Sequence, residues 1–126
     1  MTRTRAFCDG DRVVELELPS QPSFKAVGRL VAGGLASRLE FRVDKIEDLQ
    51  LAVEALLCRA PANGSLRMTL GESKAGLQVT LGLFARVPAE RARVERMLHA
   101  FVDDVVVQDS DEGEWITMRA NRERAA

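Results

Sequence analysis

The chain has 126 residues, 46% of them hydrophobic, with 18 lysines and arginines against 19 aspartates and glutamates and a formal net charge of -1. A domain of this length buries roughly two-thirds of its unfolded surface, so a packed core needs neither disulfides nor a structural metal. The even balance, with basic residues scattered, lacks the cationic excess of a general nucleic-acid binder, so no direct nucleic-acid partner is expected.

Residues 1–11 are polar and aperiodic. No apolar run approaches the roughly twenty residues of a membrane span, and the opening Met1-Thr2-Arg3-Thr4-Arg5 leads into no signal-peptide stretch. We therefore expect one cytoplasmic domain over 1–126, with 1–11 and 120–126 as flexible tails and no membrane partner. Val14, Leu16 and Leu18 alternate with Glu15 and Glu17 as a half-buried strand does. Pro19-Ser20-Gln21-Pro22 ends that strand and opens a helix, in which Val27, Leu30, Val31, Leu35 and Leu39 form an apolar stripe. Gly28, Gly33 and Gly34 interrupt it, which close packing or a bend would explain.

A second helix begins at Asp44, with Glu47 completing a capping box and Ile46, Leu49, Val53, Leu56 and Leu57 on the buried face. Cys58, near its end, reads as a buried thiol acting as a small hydrophobe. Ala60-Pro61-Ala62-Asn63-Gly64 ends the helix. Leu66–Leu70 and Leu77–Leu83 alternate as two strands of an antiparallel hairpin closed by Gly71–Gly76. Pro88 and Glu90 open a third helix carrying Val94, Met97, Leu98, Phe101 and Val102 at helical spacing. Val105–Val107 and Trp115–Met118 are the last two strands, joined by the acidic run 109–114, which reads as a solvated turn rather than a calcium loop because the ligand spacing is wrong. The order β-α-α-β-β-α-β-β predicts an α/β (α+β) two-layer sandwich, three helices covering one face of a mixed, mainly antiparallel sheet.

Cys8, Cys58 and His99 stand far apart and form no close ligand pair, so no metal site is expected. His99 has no Ser or Cys nucleophile nearby and reads as a helix-surface residue. Arg59, Arg86, Arg91 and Arg93 gather near the start of the third helix, where an anion site is conceivable but solvated charge is the favoured reading.

Ser23-Phe24-Lys25, the run Asp48-Leu49-Gln50-Leu51-Ala52-Val53-Glu54, the hairpin, Phe101-Val102-Asp103-Asp104-Val105 and Gly113-Glu114-Trp115-Ile116-Thr117 follow one another in an order that resembles the anti-sigma-factor serine kinases of the GHKL, or Bergerat-fold, ATPase superfamily. The resemblance implies a histidine-kinase-like ATPase fold, a homodimer formed through the sheet region, and a sigma factor and an anti-sigma-factor antagonist as partners. It also implies a nucleotide site, in which a helix Glu activates the attacking group and an Asn one turn later holds magnesium. An ungapped alignment places Ala55 and Arg59 at those two positions; sliding the register offers Glu54 and Cys58 instead. Ala55 cannot take a proton, and a guanidinium has no lone pair for magnesium. The family's D-x-G-x-G turn corresponds to Leu81-Gly82-Leu83-Phe84-Ala85-Arg86-Val87, which has no acid, and only Arg86–Ala89 stands where the lid should be.

The chain thus reads as a degenerate member with no catalytic residues, no cofactor and a shortened lid, in which Glu54, Cys58, Arg59, Gly82 and Arg86 mark a vestigial nucleotide region. It would regulate by protein binding, through Lys25, Ala26 and Arg29 early in the first helix, Ala26 standing where the family often has a basic residue. The alternatives are an active kinase that binds ATP and phosphorylates an antagonist, and an unrelated α/β interaction domain.

Overall fold

The structure is a computed structural model and describes residues 13–72 and 74–122. Strand β1 (Val13–Pro19) leads through a short 3-10 turn (Pro22–Phe24) into α1 (Lys25–Arg38) and α2 (Val43–Leu57). The hairpin β2 (Ser65–Glu72) and β3 (Gly76–Phe84) follows, then a 3-10 turn (Pro88–Glu90), α3 (Arg91–His99) and the hairpin β4 (Asp104–Ser110) and β5 (Gly113–Asn121). One five-stranded sheet results, in the order β1-β2-β3-β5-β4. Among the described residues every neighbouring pair is antiparallel, so this sheet is antiparallel throughout rather than mixed. Two hairpins make the β2/β3 and β4/β5 pairs directly; α1 and α2 join the antiparallel β1 and β2, whereas the α3 connection carries the chain to β4, which runs in the same direction as β3 with the antiparallel β5 between them.

Side chains alternate across the pleat. One face carries Leu16, Met68, Leu81, Ile116 and Val107 in register, and the next layer Val14, Leu70, Val79, Met118 and Val105. This face meets Ala32 and Ala36 of α1, Leu49, Val53 and Leu56 of α2, and Leu98 of α3 in a single core. The opposite face holds a row of Glu15, Thr69, Thr80, Thr117 and Val106, in which the Thr80 and Thr117 hydroxyls lie 3.0 Å apart.

α1 fully buries Gly28, Ala32, Gly33 and Ala36, and the stripe the sequence suggested divides: Val31, Leu35 and Leu39 are half-buried against the core, whereas Leu30 is 63% exposed and Val27 also faces outward. The reason is the close approach of α2. A Cβ on Gly28 would lie 2.7 Å from the Leu57 Cδ1, and one on Gly33 would lie 3.0 Å from the Gln50 Cδ. The helix ends with the Phe41 N–H donating to the Ala36 carbonyl and the Glu40 N–H to that of Ser37, which places Glu40 at a φ of 63°. That pattern is a Schellman closure with glutamate where glycine is usual.

α2 starts one residue before Asp44, with Arg42 at the cap position and no side-chain capping bond. The expected capping box is therefore not formed; Asp44 accepts instead from the Lys45 N–H beside it. Cys58 is exposed at the end of α2, which corrects the buried thiol. Phe101 and Val102 lie in the turn after α3, Val102 still reaching the core. Ala120 and Asn121 belong to β5 and Ala120 is buried, so these two residues are not part of a tail. The expected N-terminal tail, Cys8 and residues 123–126 lie outside the described residues.

Candidate functional site

The loop after α2 pairs with the end of β3. The Ala62 N–H donates to the Leu83 carbonyl at 2.8 Å and the Ala85 N–H to that of Ala60 at 3.0 Å. Those bonds hold Arg59 beside the sheet. Its guanidinium carbon sits 5.0 Å from the centroid of the Phe84 ring, and its Nη2 lies 3.8 Å from Oε1 of Glu114. Phe84 and Glu114 are direct partners across β3 and β5. The Arg59 side chain is 12% exposed and that of Glu114 only 2%, with Glu114 Oε2 lacking any hydrogen-bond partner. At 3.8 Å the contact is an ion pair, too long for a hydrogen bond, and because both groups are buried, removing either one would strand the other's charge away from water.

Ala55 is half-buried in the last turn of α2, and Arg59 lies two residues beyond the helix end. Glu54, also in the last turn, is half-buried, and Cys58 at the C-cap is exposed. Cys58 and Arg59 line a groove of about 360 Å³ together with Lys25, Phe24, Leu18 and Leu66, so the structure joins part of the nucleotide region to part of the partner region. Ala26 and Arg29 are exposed on α1, the Arg29 carbonyl accepting from Gln50 Nε2 at 3.2 Å.

Two of the singled-out residues stand elsewhere. Gly82 projects to the opposite face of the sheet, where a Cβ would lie 2.7 Å from Cδ2 of Trp115, so it does not join Arg59. Arg86 donates to the carbonyls of Ser110 and Gly113 and pairs with Asp109 at 3.7 Å. Arg91 pairs with Asp109 at 3.3 Å and donates to the Val107 carbonyl, while Arg93 pairs with Glu90. Arg86 and Arg91 thus share the Asp109 carboxylate while Arg59 and Arg93 pair with Glu114 and Glu90, so all four are engaged by carboxylates of the chain itself. His99 is exposed in the last turn of α3. Glu114 was hidden in the sequence by its acidic neighbours; the one signal was its phase, since it shares the inward side of β5 with Ile116 and Met118.

No described helix is long and apolar enough to cross a membrane. Among the described residues no group of His, Cys, Asp and Glu is placed to hold a metal ion.

No family model matches the chain. It is 32% identical over 71 residues to the serine-protein kinase RsbW of Bacillus velezensis, a match covering 56% of this chain and 42% of that protein. It is 42% identical over 40 residues to RsbW of Bacillus subtilis and 45% identical over 40 residues to RsbW of Listeria monocytogenes, covering 32% of this chain and 25% and 26% of those proteins. The matched stretches therefore span less than half the length of these curated relatives. In three dimensions the chain is similar to one from the crystal structure of the RsbU and RsbW domains of Rv1364c from Mycobacterium tuberculosis, with a TM-score of 0.74 at 11% identity over 91% of this chain and 34% of that one. The resemblance to the anti-sigma-factor serine kinases is thus borne out by sequence, and the GHKL-like α+β fold by structure.

Proposed function

We propose that the chain is an anti-sigma-factor-like regulator that works in the cytoplasm by protein binding and has lost its nucleotide chemistry. The observation that carries this reading is the Arg59–Glu114 pair: the residue at the magnesium-holding position is a cation already engaged with a buried carboxylate of the protein itself. The residues present do not suit a magnesium nucleotide. Ala55 offers no base, and Arg59 offers five donors and no acceptor. Gly82 lies under an indole on the far face, and Arg86 is committed to the β4–β5 turn. Phosphoryl transfer depends on metal, base and phosphate cradle together, whereas binding a partner needs only a shaped surface with a few anchors.

Such a surface exists at the start of α1. Ala26, Val27 and Leu30 face solvent beside Lys25 and Arg29, giving exposed apolar side chains with a cationic border. An apolar stripe on a surface helix that the core does not use suits a protein partner, here a sigma factor and an anti-sigma-factor antagonist. A homodimer formed through the sheet region is the companion proposal, since β1 is an edge strand.

Calorimetric titration with ATP and magnesium tests the reading directly. No binding at micromolar nucleotide is the expected outcome, and saturable micromolar binding would sink it. The second reading, an active kinase, is favoured by the name of the curated relatives and predicts that binding together with phosphorylation of a co-purified antagonist. Capture of a sigma factor by the wild-type protein, and loss of that capture in Leu30→Asp, separates both from an unrelated interaction domain.

A further inference from the structure

The face of the sheet turned away from the helices carries a pocket of about 490 Å³ at the end where β1, β2, β3 and β5 meet the β4–β5 turn. Its floor is Trp115. The six-membered ring of its indole lies so close to Gly82 that any side chain at position 82 would collide with it, and the glycine thus makes room for the ring at this place. Its rim is acidic. Asp111 and Glu112 stand on one side and Glu17 on the other, against the single cation Arg67. Asp111 and Glu112 are both exposed on the turn.

The rim is held in place. Arg86 grips the Ser110 and Gly113 carbonyls from beneath the turn, Ser110 Oγ donates to the Gly113 carbonyl at 3.2 Å, and the Glu112 N–H donates to that hydroxyl. Glu17 accepts from Ser65 Oγ at 3.1 Å. A rigid aromatic face framed by carboxylates is complementary to a planar cation, which stacks on the ring while its N–H groups reach the acids. Among biological cations a guanidinium matches this geometry; an ammonium has no plane to stack.

We infer that this pocket receives an arginine side chain presented on the surface of a protein partner. The charge complementarity selects the guanidinium. The volume, larger than one side chain requires, leaves room for the residues flanking it. This site is distinct from the α1 surface and stands whether or not the nucleotide chemistry is lost.

Trp115 is the chain's one tryptophan, so its emission reports on the pocket alone. The experiment titrates the full chain with N-acetyl-arginine amide, with N-acetyl-citrulline amide as the neutral isostere and with free arginine. A saturable emission change with the arginine amide, absent with citrulline and weakened at high salt, is expected. Asp111→Asn/Glu112→Gln, on an exposed turn, should weaken it about tenfold with the fold intact by circular dichroism. Gly82→Ala should shift the emission of the free protein and abolish the response while leaving every charge in place. Equal responses to arginine and citrulline, or none that saturates, would overturn the site. Tighter binding of free arginine than of the blocked amide would overturn the partner and make the ligand a small molecule.

Discussion

Arg59 and Glu114 form a closed account of charge in a place with little water. Removing the arginine strands a carboxylate that is 2% exposed, so Arg59→Ala should cost about 3 kcal/mol of stability, the scale for breaking a buried pair from one side. Glu114→Gln in that background should recover part of the loss, because the stranded charge is gone. Urea unfolding of the two single variants and the double variant measures the coupling, and simple additivity would refute it. Nothing in the local sequence exposed this pair. Glu114 stands at the end of Asp109-Ser110-Asp111-Glu112-Gly113, and Arg59 lies 55 positions earlier, joined to it only once β3 and β5 are side by side. Cys58 illustrates the same limit in reverse: its apolar neighbours are buried, yet the helix ends there and turns the thiol outward.

At the level of elements, periodicity located all three helices and five strands but misjudged one face. The rule that large apolar residues point inward held for Val31, Leu35 and Leu39 but failed for Val27 and Leu30, because α2 and the sheet approach the middle of the buried face so closely that Gly28, Ala32, Gly33 and Ala36 fill it. Two of the three glycines read as interruptions, Gly28 and Gly33, are the contact itself, while Gly34 faces open space. The same helix ends with Glu40 in left-handed geometry, a conformation costing an L-residue about 1–2 kcal/mol. Glycine there gives back some of that gain in the unfolded chain, so Glu40→Gly should stabilise by about 0.5–1 kcal/mol in chemical denaturation.

A second junction ties three elements. Lys45 Nζ donates to Asp103 Oδ2 at 2.8 Å and to the Asn121 carbonyl at 3.1 Å, and the Asn121 N–H donates to the same carboxylate at 2.6 Å. Burial pushes the Asp103 carboxyl up, but the Lys45 hydrogen bond, the Asn121 N–H and the Lys45 charge outweigh it and hold it below its ordinary 3.8. A depressed folded-state value stabilises the protein above the unfolded value, and that contribution is lost as pH falls through the folded one. Stability should therefore decline from about pH 5 downward, and Asp103→Asn should flatten that decline while lowering stability at neutral pH. Denaturation midpoints measured across that range in both proteins check the sign.

For the molecule as a whole, the layer arrangement followed from element order and hydrophobic alternation, because two-layer packing is what such an order permits. The strand sequence β1-β2-β3-β5-β4 was not legible, since it depends on which edge α3 delivers the last hairpin to. The nucleotide region was legible only as a set of substitutions; the dispersal of Gly82 to one face and Arg86 to the terminal hairpin emerged from the fold. The dimer proposal belongs to this scale. Light scattering over a wide concentration range should give twice the mass of 13.9 kDa, and a constant monomer mass would remove it.

The placement of β5 between β3 and β4 also governs how the chain can reach its native state during synthesis. While residue 113 is still inside the ribosome, β1, β2 and β3 can already zip together, but β4 has nothing to lie against. Half of the apolar layer then waits, uncovered, for the final strand to slot into the gap. A nascent chain stalled before residue 121 should accordingly be the most protease-sensitive and chaperone-dependent form of this protein.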